Sequence, residues 1–363
     1  MDYWFEVNYA DKILSPALLF YPDRIKANIT SMLNIAGSPL RLRPHVKTYK
    51  CKEIIQMQIE AGISKFKCAT LAEAYLLGEA GASDVLIAYP IIGPNQAKLI
   101  EINRQFPGTK FGCLVDHPAH LIEWQNSPHK GISLYIDLDP GMGRTGIQPT
   151  SAMNMLDQMI ALKLPFGGLH VYDGQIHTSD PEERKKETEK SFTLAQSLIV
   201  PVQKKIGSDF EIACGGSITF PIHALYPERT LSPGTTLLWD YGYQSNFPDL
   251  PFEIAATLLT RVISKPEKNR LCLDLGHKAV GSEMKGAPVF FPQLPLANII
   301  IHSEEHLVIE TDQAPAYQIG DILYGIPVHI CPTVALHEKA AVIVDNLCTD
   351  FWNIIARKRF YQC

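Results

Sequence analysis

The sequence predicts an α/β fold, a (β/α)8 barrel followed by a mainly antiparallel β domain. Three observations predict it. Short apolar runs alternate with helical segments, eight such runs lie between residues 40 and 240, and strands with few helices follow after about residue 244. Apolar strands separated by helices are typical of parallel sheets. Eight of them in about 200 residues are enough to close a barrel.

The predicted barrel strands follow one another along the chain, most of them with a helical segment behind. They are, in order, 40–47, 65–70, 84–90, 110–116, 132–139, 166–173, 210–216 and 235–240. A further apolar run at 16–22 precedes the first helix. A doubly wound open sheet stays the alternative, because it differs only by a reversal of strand order.

The last third of the chain has a different pattern. Prolines become frequent, and strands such as RLCLDLG, HLVIET and DILYGIPVHI follow one another, as in an antiparallel β domain. We therefore predict a barrel over residues 15–244 and a β domain formed by residues 1–14 and 245–363.

Composition excludes several classes of protein. The net charge is −5 with no basic face, so no nucleic-acid partner is expected. The sequence has neither an apolar run long enough for a transmembrane helix nor the pattern of a signal peptide, so no membrane partner is expected. The eight cysteines form no CxxC pair, which favours a reducing compartment. We expect a cytoplasmic protein.

In a barrel, functional side chains are expected at the carboxyl ends of the strands. Lys47 ends the first predicted strand, within RLRPHVKTYKCKE. If it points inward, burial lowers its pKa and suits it to Schiff-base chemistry. His45, two residues earlier, would lie on the same face. The alternative is that Lys47, Lys50 and Lys52 are all loop lysines in water.

Three further strand ends carry polar motifs. DLDPGMGRTG places Arg144 on a glycine-rich loop, where its guanidinium could hold an anionic oxygen or simply face solvent. LHVYDGQIH places Tyr172 and His177 behind another strand. The glycines and serine at 215–217 would let backbone N–H groups approach an anion such as phosphate, which barrel enzymes often bind near their last strands.

The motif VHICPT lies in the predicted β domain. His329 and Cys331, at positions i and i+2 of an extended segment, would face the same way. Imidazole and thiolate are ligands typical of zinc, and two protein ligands would leave room for water or substrate. A buried cysteine beside an unrelated histidine is the alternative.

Together these motifs resemble the D-threonine aldolase and D-serine dehydratase family, pyridoxal-phosphate enzymes built on the alanine-racemase-type barrel. The resemblance runs from SPALLFYPDRIKANI through RPHVKTYK, DPGMGRTG, VYDGQIH, GGSIT and SPGTTLLWDY to GIPVHICPT. It covers nearly the whole chain, and RPHVKT together with the late HxC makes it specific. It implies the barrel and β domain described above, with the first strand of the chain joining the β domain.

The resemblance also implies a cofactor, a metal and their ligands. Pyridoxal phosphate would form a Schiff base with Lys47, and a divalent metal would bind His329 and Cys331 next to the cofactor. The other implied cofactor contacts are Arg144 at the phenolic oxygen, Tyr172 beside the pyridine ring, and Gly215, Gly216, Ser217 and Thr219 at the phosphate.

Three residues depart from the family pattern. Tyr49 stands where a second histidine usually continues the lysine motif. Ser232 stands where alanine racemases carry the arginine that meets the pyridine nitrogen, which argues against simple racemase chemistry. Cys331 resembles the dehydratase ligand, because the aldolases often place an aspartate there. A thiolate favours zinc over manganese.

These implications define the expected function, a pyridoxal-phosphate- and metal-dependent lyase of β-hydroxy D-amino acids. The expected reaction resembles that of D-threonine aldolase, giving glycine and an aldehyde. Lys47 and Tyr172 would act at the cofactor, with His45 and His177 as candidate bases near the substrate hydroxyl.

Three alternatives remain open. They are a D-serine or D-threonine dehydratase that releases a 2-oxo acid and ammonia, an amino-acid racemase, and a non-catalytic carrier of the cofactor. The additional β domain argues against a carrier. The expected partners are a small D-amino acid and a second copy of the chain, because barrels of this type often pair through the β domain.

Overall fold

The computed structural model describes residues 3–128 and 131–359. The chain divides into two compact units. The first contains residues 32–47, 55–234 and 358–359, and the second contains residues 3–31, 48–54 and 235–357. No helix within the described ranges is both long and apolar enough to cross a membrane.

The helices are α1 (Pro22–Ala36), α2 (Lys52–Glu60), α3 (Leu71–Glu79), α4 (Pro94–Gln105), α5 (Pro118–Gln125), α6 (Ala152–Ala161), α7 (Pro181–Ile206), α8 (Phe220–His223), α9 (Tyr241–Asn246) and α10 (Ile330–Leu336). The strands are β1 (Ala17–Phe20), β2 (Lys65–Cys68), β3 (Asp84–Pro90), β4 (Lys110–Val115), β5 (Ile132–Leu138), β6 (Phe166–Val171), β7 (Glu211–Cys214), β8 (Thr230–Leu231), β9 (Ala256–Ser264), β10 (Arg270–Leu273), β11 (Val289–Phe290), β12 (Asn298–His302), β13 (Leu307–Glu310), β14 (Ile322–Pro327), β15 (Lys339–Val344) and β16 (Leu347–Asn353).

Seven parallel strands of the first unit form one sheet in the order β2 to β8. The segment 42–45 connects its two edges, since Leu42 bridges to Leu231 of β8 and His45 bridges to Lys67 of β2. The Lys67 N–H also donates to the Pro44 carbonyl at 2.8 Å. Each strand therefore pairs with its neighbour in sequence, which confirms the barrel and excludes the doubly wound sheet. We call segment 42–45 the barrel seam.

Two predicted strands differ from the observed ones. Residues 235–240 begin with a 3-10 turn at Thr235–Leu237, and the eighth strand is instead Thr230–Leu231, which is too short to show as an apolar run. The seam itself forms bridges and no regular strand, because Pro44 has no N–H to donate to a ladder.

The second unit contains a mostly antiparallel sheet, as predicted. Its main path runs β12-β13-β10-β9-β1-β15-β16, and β14 pairs with β9. Strand β1 lies between β9 and β15, parallel to β15 only. The first strand thus belongs to the β domain, as the resemblance implied, and the predicted barrel boundary at residue 15 is too early. The predicted end at 363 includes residues 360–363, which lie outside the described residues.

The barrel-to-helix connections follow local sequence rules. Helix α3 begins after Thr70, whose hydroxyl accepts a hydrogen bond from the Glu73 N–H at 3.2 Å. Helix α7 begins after Asp180, whose carboxylate accepts one from the Glu183 N–H at 2.8 Å, and Pro181 suits its first turn. These caps fix where each helix starts behind its strand.

One end of the barrel interior is occupied by ionic groups. Arg43 is fully buried, and its guanidinium contacts Glu211 at 2.6 Å and Asp84 at 2.8 Å. Glu211 also accepts hydrogen bonds from Lys65 at 3.2 Å and from the Tyr135 hydroxyl at 2.7 Å. Burial alone would raise the pKa of Glu211, but Arg43 and Lys65 outweigh it and lower the pKa to about 2. A buried arginine is tolerated here because its charge is neutralised.

We predict that Arg43→Met lowers the free energy of unfolding by about 3–5 kcal/mol, because it leaves the Glu211 carboxylate buried without its main partner. Lys65→Met, which removes a partly exposed partner of the same carboxylate, should cost only about 1 kcal/mol. Urea unfolding measures both, and equal losses would contradict the assignment.

The same cluster predicts an acid dependence. The folded-state pKa of Glu211 lies below the ordinary value of 4.5, so its contribution is present above that pH and is lost as the pH falls towards about 2. We expect the wild-type protein to lose more stability than Arg43→Met over this interval. Urea midpoints measured at several pH values would show parallel losses if Glu211 were not involved.

Candidate active site

Lys47 follows the barrel seam in a turn over residues 46–49, and its side chain is exposed. The expectation that the Lys47 side chain points inward and is buried is therefore wrong. Its backbone N–H donates to Nδ1 of His45 at 3.2 Å, which fixes the imidazole beside the turn. Gly234 permits this arrangement, because a Cβ there would lie 3.2 Å from the Cβ of His45. The structure thus offers Lys47 as an accessible nucleophile at the strand ends.

A second lysine, Lys67 of the predicted strand 65–70, is buried in the barrel. Its side chain is 2% exposed, and Nζ lies 5.7 Å from the centre of the Tyr172 ring. Burial and the nearby charge of Lys47 lower the pKa of Lys67 to about 7. The signal was present in KFKC, where two lysines alternate with apolar residues and so share one face of the strand.

The glycine-rich loop after β5 brings Arg144 to the same aromatic ring. The Asp139 carboxylate accepts hydrogen bonds from the N–H groups of Gly141 at 2.9 Å and Gly143 at 3.1 Å. These contacts shape the turn that carries Arg144, whose guanidinium carbon lies 5.1 Å from the centre of the Tyr172 ring. Arg144 and Tyr172, predicted from separate motifs, therefore lie together.

His170 and Asp137 form a buried pair on the neighbouring strands β6 and β5, with Nδ1 and Oδ1 2.7 Å apart. Burial, despite Asp137, lowers the pKa of His170, so its imidazole is neutral and donates from Nδ1. Within the described part of the chain, neither Nε2 of His170 nor the buried Ser232 hydroxyl has a hydrogen-bond partner. Unpaired buried polar atoms are costly, and a polar ligand would satisfy them.

The loop 215–219 is held by Asp173, which was not assigned a role from sequence. Its carboxylate accepts a hydrogen bond from the Thr219 hydroxyl at 2.8 Å and contacts Nε2 of His223 at 2.8 Å. Arg229 lies 2.9 Å from Nδ1 of His223. Since the guanidinium only donates, the His223 Nε2–H must donate to Asp173. The Gly216 N–H donates to the Thr219 hydroxyl at 2.9 Å, so Asp173 organises the predicted phosphate loop.

Two glycines of this loop leave no room for side chains. Gly215 has φ +78°, and a Cβ there would lie 2.8 Å from Cδ2 of His223. A Cβ on Gly216 would lie 3.3 Å from the Tyr172 ring. Ser217 accepts a hydrogen bond from the Gly234 N–H at 3.2 Å. With Lys47, Arg144 and the unpaired polar atoms of the barrel, this glycine loop fits pyridoxal phosphate.

The His329–Cys331 pair differs from the predicted geometry. Strand β14 ends at Pro327, His329 precedes α10, and Cys331 lies in the first turn of that helix. The extended i, i+2 argument is therefore wrong. The thiol nevertheless lies close enough to the imidazole to raise the pKa of His329, because the helix turn brings Cys331 back towards His329. The Cys331 sulfur also lies 3.1 Å from the Thr48 hydroxyl.

Glu283 completes this cluster, since its carboxylate contacts Nδ1 of His329. Burial would lower the pKa of His329, but Cys331 and Glu283 outweigh it and raise the pKa to about 9. A carboxylate on Nδ1 directs Nε2 towards a metal. Glu283 is 46 residues from His329, so no local motif could have revealed it.

The donor types in this cluster suit a cation. Among residues 3–128 and 131–359, no group of three or more His, Cys, Asp or Glu residues forms a ready metal cage. Imidazole and thiolate fit zinc, with the remaining positions left to water or substrate. His177 lies exposed in the loop after β6, and the structure gives it no contact that decides its role.

The chain matches two family models and a curated relative. The family model for the alanine racemase N-terminal domain matches residues 21–241, and the model for a putative serine dehydratase domain matches residues 255–343. D-threonine aldolase from Arthrobacter sp is 29% identical over 357 residues, which cover 95% of this chain and 93% of that protein.

Solved structures share the fold over nearly the full length. D-threonine aldolase from Filomicrobium marinum superposes with a TM-score of 0.87 at 24% identity, covering 98% of each chain. D-threo-3-hydroxyaspartate dehydratase from Delftia sp. HT23 gives a TM-score of 0.81 at 21% identity, covering 96% of this chain and 99% of that one. A cysteine-to-alanine mutant of D-threo-3-hydroxyaspartate dehydratase in a metal-free form also gives a TM-score of 0.81.

We predict that Gly215→Ala weakens binding of pyridoxal phosphate and destabilises the protein more than Gly207→Ala. Both glycines have positive φ, but only Gly215 would bring a Cβ against a neighbour. Gly207→Ala should cost about 1–2 kcal/mol for its backbone alone and leave cofactor affinity unchanged. Absorbance titration and urea unfolding compare the two, and equal effects on affinity would contradict the role of the loop.

We predict that Glu283→Gln lowers zinc affinity about 10- to 100-fold, because the neutral amide no longer fixes the His329 ring. Competition with a chelating dye measures the affinity. Glu304→Gln is the matched control, because Glu304 contacts Lys278 at the surface. An unchanged affinity in Glu283→Gln would remove this carboxylate from the metal site.

Proposed function

Because the chain belongs to the D-threonine aldolase and D-serine dehydratase family of alanine-racemase-type proteins, we propose that it is a pyridoxal-phosphate-dependent lyase of β-hydroxy D-amino acids. The observation that carries the proposal is that one chain contains both an exposed lysine at the strand ends of a barrel and a His–Cys pair held by a carboxylate. A racemase or a cofactor carrier would use only the first of these features.

We assign the barrel residues to the cofactor. Pyridoxal phosphate, when bound, accepts electron density from a bond to the Cα of the substrate. Lys47 would hold the cofactor and later exchange a proton at Cα. Arg144 would donate to the phenolic oxygen, and Tyr172 would pack beside the ring. The loop 215–219 would surround the phosphate. Its Gly215 and Gly216 N–H groups already donate to the Val171 carbonyl and the Thr219 hydroxyl, and Asp173 keeps the loop in place.

We assign His329 and Cys331 to a divalent metal, for which the thiolate favours zinc over manganese. Such a metal acts as a Lewis acid and lowers the pKa of a hydroxyl group. Glu283 orients His329 through Nδ1. The β-hydroxyl of the substrate is the group whose proton must leave in a retro-aldol cleavage. His45 and His177 are the candidate bases for that proton.

The specific reaction that we propose is D-threonine aldolase-like cleavage to glycine and an aldehyde. Its support is the 29% identity to D-threonine aldolase over 95% of this chain. The second candidate is dehydration to a 2-oxo acid and ammonia. It is favoured by Cys331, which resembles the dehydratase ligand, because the aldolases often place an aspartate there. In dehydration, Lys47 would remove the Cα proton.

A product assay decides between these reactions. D-threonine, L-threonine and D-serine are supplied separately to the purified protein with pyridoxal phosphate, with and without EDTA. We expect glycine and acetaldehyde from D-threonine alone, and loss of both with EDTA. Pyruvate or 2-oxobutyrate with ammonia would establish the dehydratase. Interconversion of enantiomers without either product, unaffected by EDTA, would establish a racemase.

We predict that Lys47→Gln abolishes both lyase activity and the absorption of the Schiff base, because Lys47 is the exposed lysine that follows the barrel seam. Lys52→Gln is the matched control, since Lys52 is a lysine five residues further along the chain, in the first turn of α2. A spectrum that persists in Lys47→Gln would transfer the role to another lysine.

A further inference from the structure

Lys67 is a buried cation for which the fold provides no direct partner. Its side chain is 2% exposed, and no hydrogen bond or ion pair to Nζ is present among the described residues. Burying an ammonium without a hydrogen-bonded partner is costly. The arginine at the other end of the barrel interior shows the contrast, because Arg43 contacts both Asp84 and Glu211.

The surroundings of Lys67 are polar and of both signs. The ammonium lies over the ring of Tyr172, the ring that Arg144 also faces. The nearby charge of Lys47 lowers the pKa of Lys67, whereas three other groups raise it: Cys214, Asp173 and Asp137. Lys67 in turn lowers the pKa of His170. Both nearby carboxylates are already bonded elsewhere, Asp137 to His170 and Asp173 to Thr219 and His223. An additional electron-rich acceptor would therefore satisfy the ammonium.

We propose that Lys67 is a further cofactor-binding residue that donates a hydrogen bond to the phenolic oxygen of pyridoxal phosphate. This inference rests on the proposed function. Of the polar groups on the cofactor, the phosphate has the glycine loop and a protonated ring nitrogen would repel a cation. The phenolic oxygen is anionic when ionised, and a charged donor prefers such an acceptor.

Two cations beside the Tyr172 ring, Arg144 and Lys67, would then both contact the phenolic oxygen. Arg144 is exposed on the glycine-rich loop after β5, whereas Lys67 is held inside the barrel by its strand. An anionic phenolic oxygen beside Lys67 would offset the repulsion between the Lys67 and Lys47 ammonium groups. Burial and Lys47 hold the pKa of Lys67 near 7 without a ligand, and an anionic neighbour would raise it and favour the charged donor.

The experiment measures the binding of two probes, pyridoxal phosphate and its analogue methylated on the phenolic oxygen, to the wild-type protein and Lys67→Met. We expect the wild-type protein to bind pyridoxal phosphate about 10- to 100-fold more tightly than the analogue. Lys67→Met should lose most of that preference, and the pH dependence of the cofactor absorption should shift. An unchanged preference and spectrum would overturn the proposal.

The Tm of the cofactor-free protein distinguishes a ligand-binding role of Lys67 from a structural one. If Lys67 awaits a ligand, Lys67→Met removes an unpaired buried charge and should raise Tm without cofactor. Lys65→Met, on the same strand, removes an ion pair with Glu211 and should lower Tm without changing the preference between probes. A lower Tm in Lys67→Met with an unchanged preference would make Lys67 structural.

The pH dependence gives a second readout of the same charge. The folded-state pKa of Lys67 is about 7 against an ordinary value of 10.5, so the unfolded chain binds the additional proton between these values. Stability of the cofactor-free protein should therefore rise with pH over this range, and less so in Lys67→Met.

Two results distinguish failure of the proposed function from failure of the inference about Lys67. If the wild-type protein binds no pyridoxal phosphate, the proposed function fails. If it binds through Lys47 and Lys67→Met keeps the preference, only this inference fails. Should Lys67→Met not fold, Lys67→Leu also removes both donor and charge, and an unreduced preference there would overturn the proposal.

Discussion

The barrel depends on how charge is accommodated inside it. At one end, Arg43 is stable in the interior because Glu211 and Asp84 neutralise it and Tyr135 completes the network. An apolar group that includes Leu86 and Leu114 packs against Tyr135. Towards the strand ends the compensation is incomplete, since Nε2 of His170 and the hydroxyl of Ser232 have no hydrogen-bond partner among the described residues. The charges at the Arg43 end are therefore neutralised within the protein. The unpaired polar atoms at the strand ends could instead be satisfied by a polar ligand.

Much of the fold could be predicted from sequence because parallel strands buried on both faces leave a strong apolar pattern. The pattern failed where the ladder is short or interrupted. Thr230–Leu231 has too few residues to form a visible run, and Pro44 removes a donor from the seam. The boundary at residue 15 was misplaced because β1 finds its partners, β9 and β15, more than 200 residues away.

Some residues of the candidate site could be predicted from sequence and others could not. Arg144 and Tyr172 were found through local motifs, and the structure brings them to one ring. Asp173 and Glu283 were missed because each acts through a partner distant in sequence, Thr219 and His329 respectively. Lys47 and Lys67 show a different limit. Sequence identifies a lysine near a strand end, but whether water reaches its amine depends on side chains from several strands.

The position of Lys47 just beyond the seam has a consequence for assembly of the protein. Segment 42–45 must pair with the two edge strands of the parallel sheet, β2 and β8, before the ring of strands is closed. The segment holds its place through contacts with Lys67 and Leu231, which are far apart in the chain. A partly formed barrel, open at this seam, would not fix the reactive amine. Capture of a ligand by Lys47 would thus report that the last gap between strands has closed.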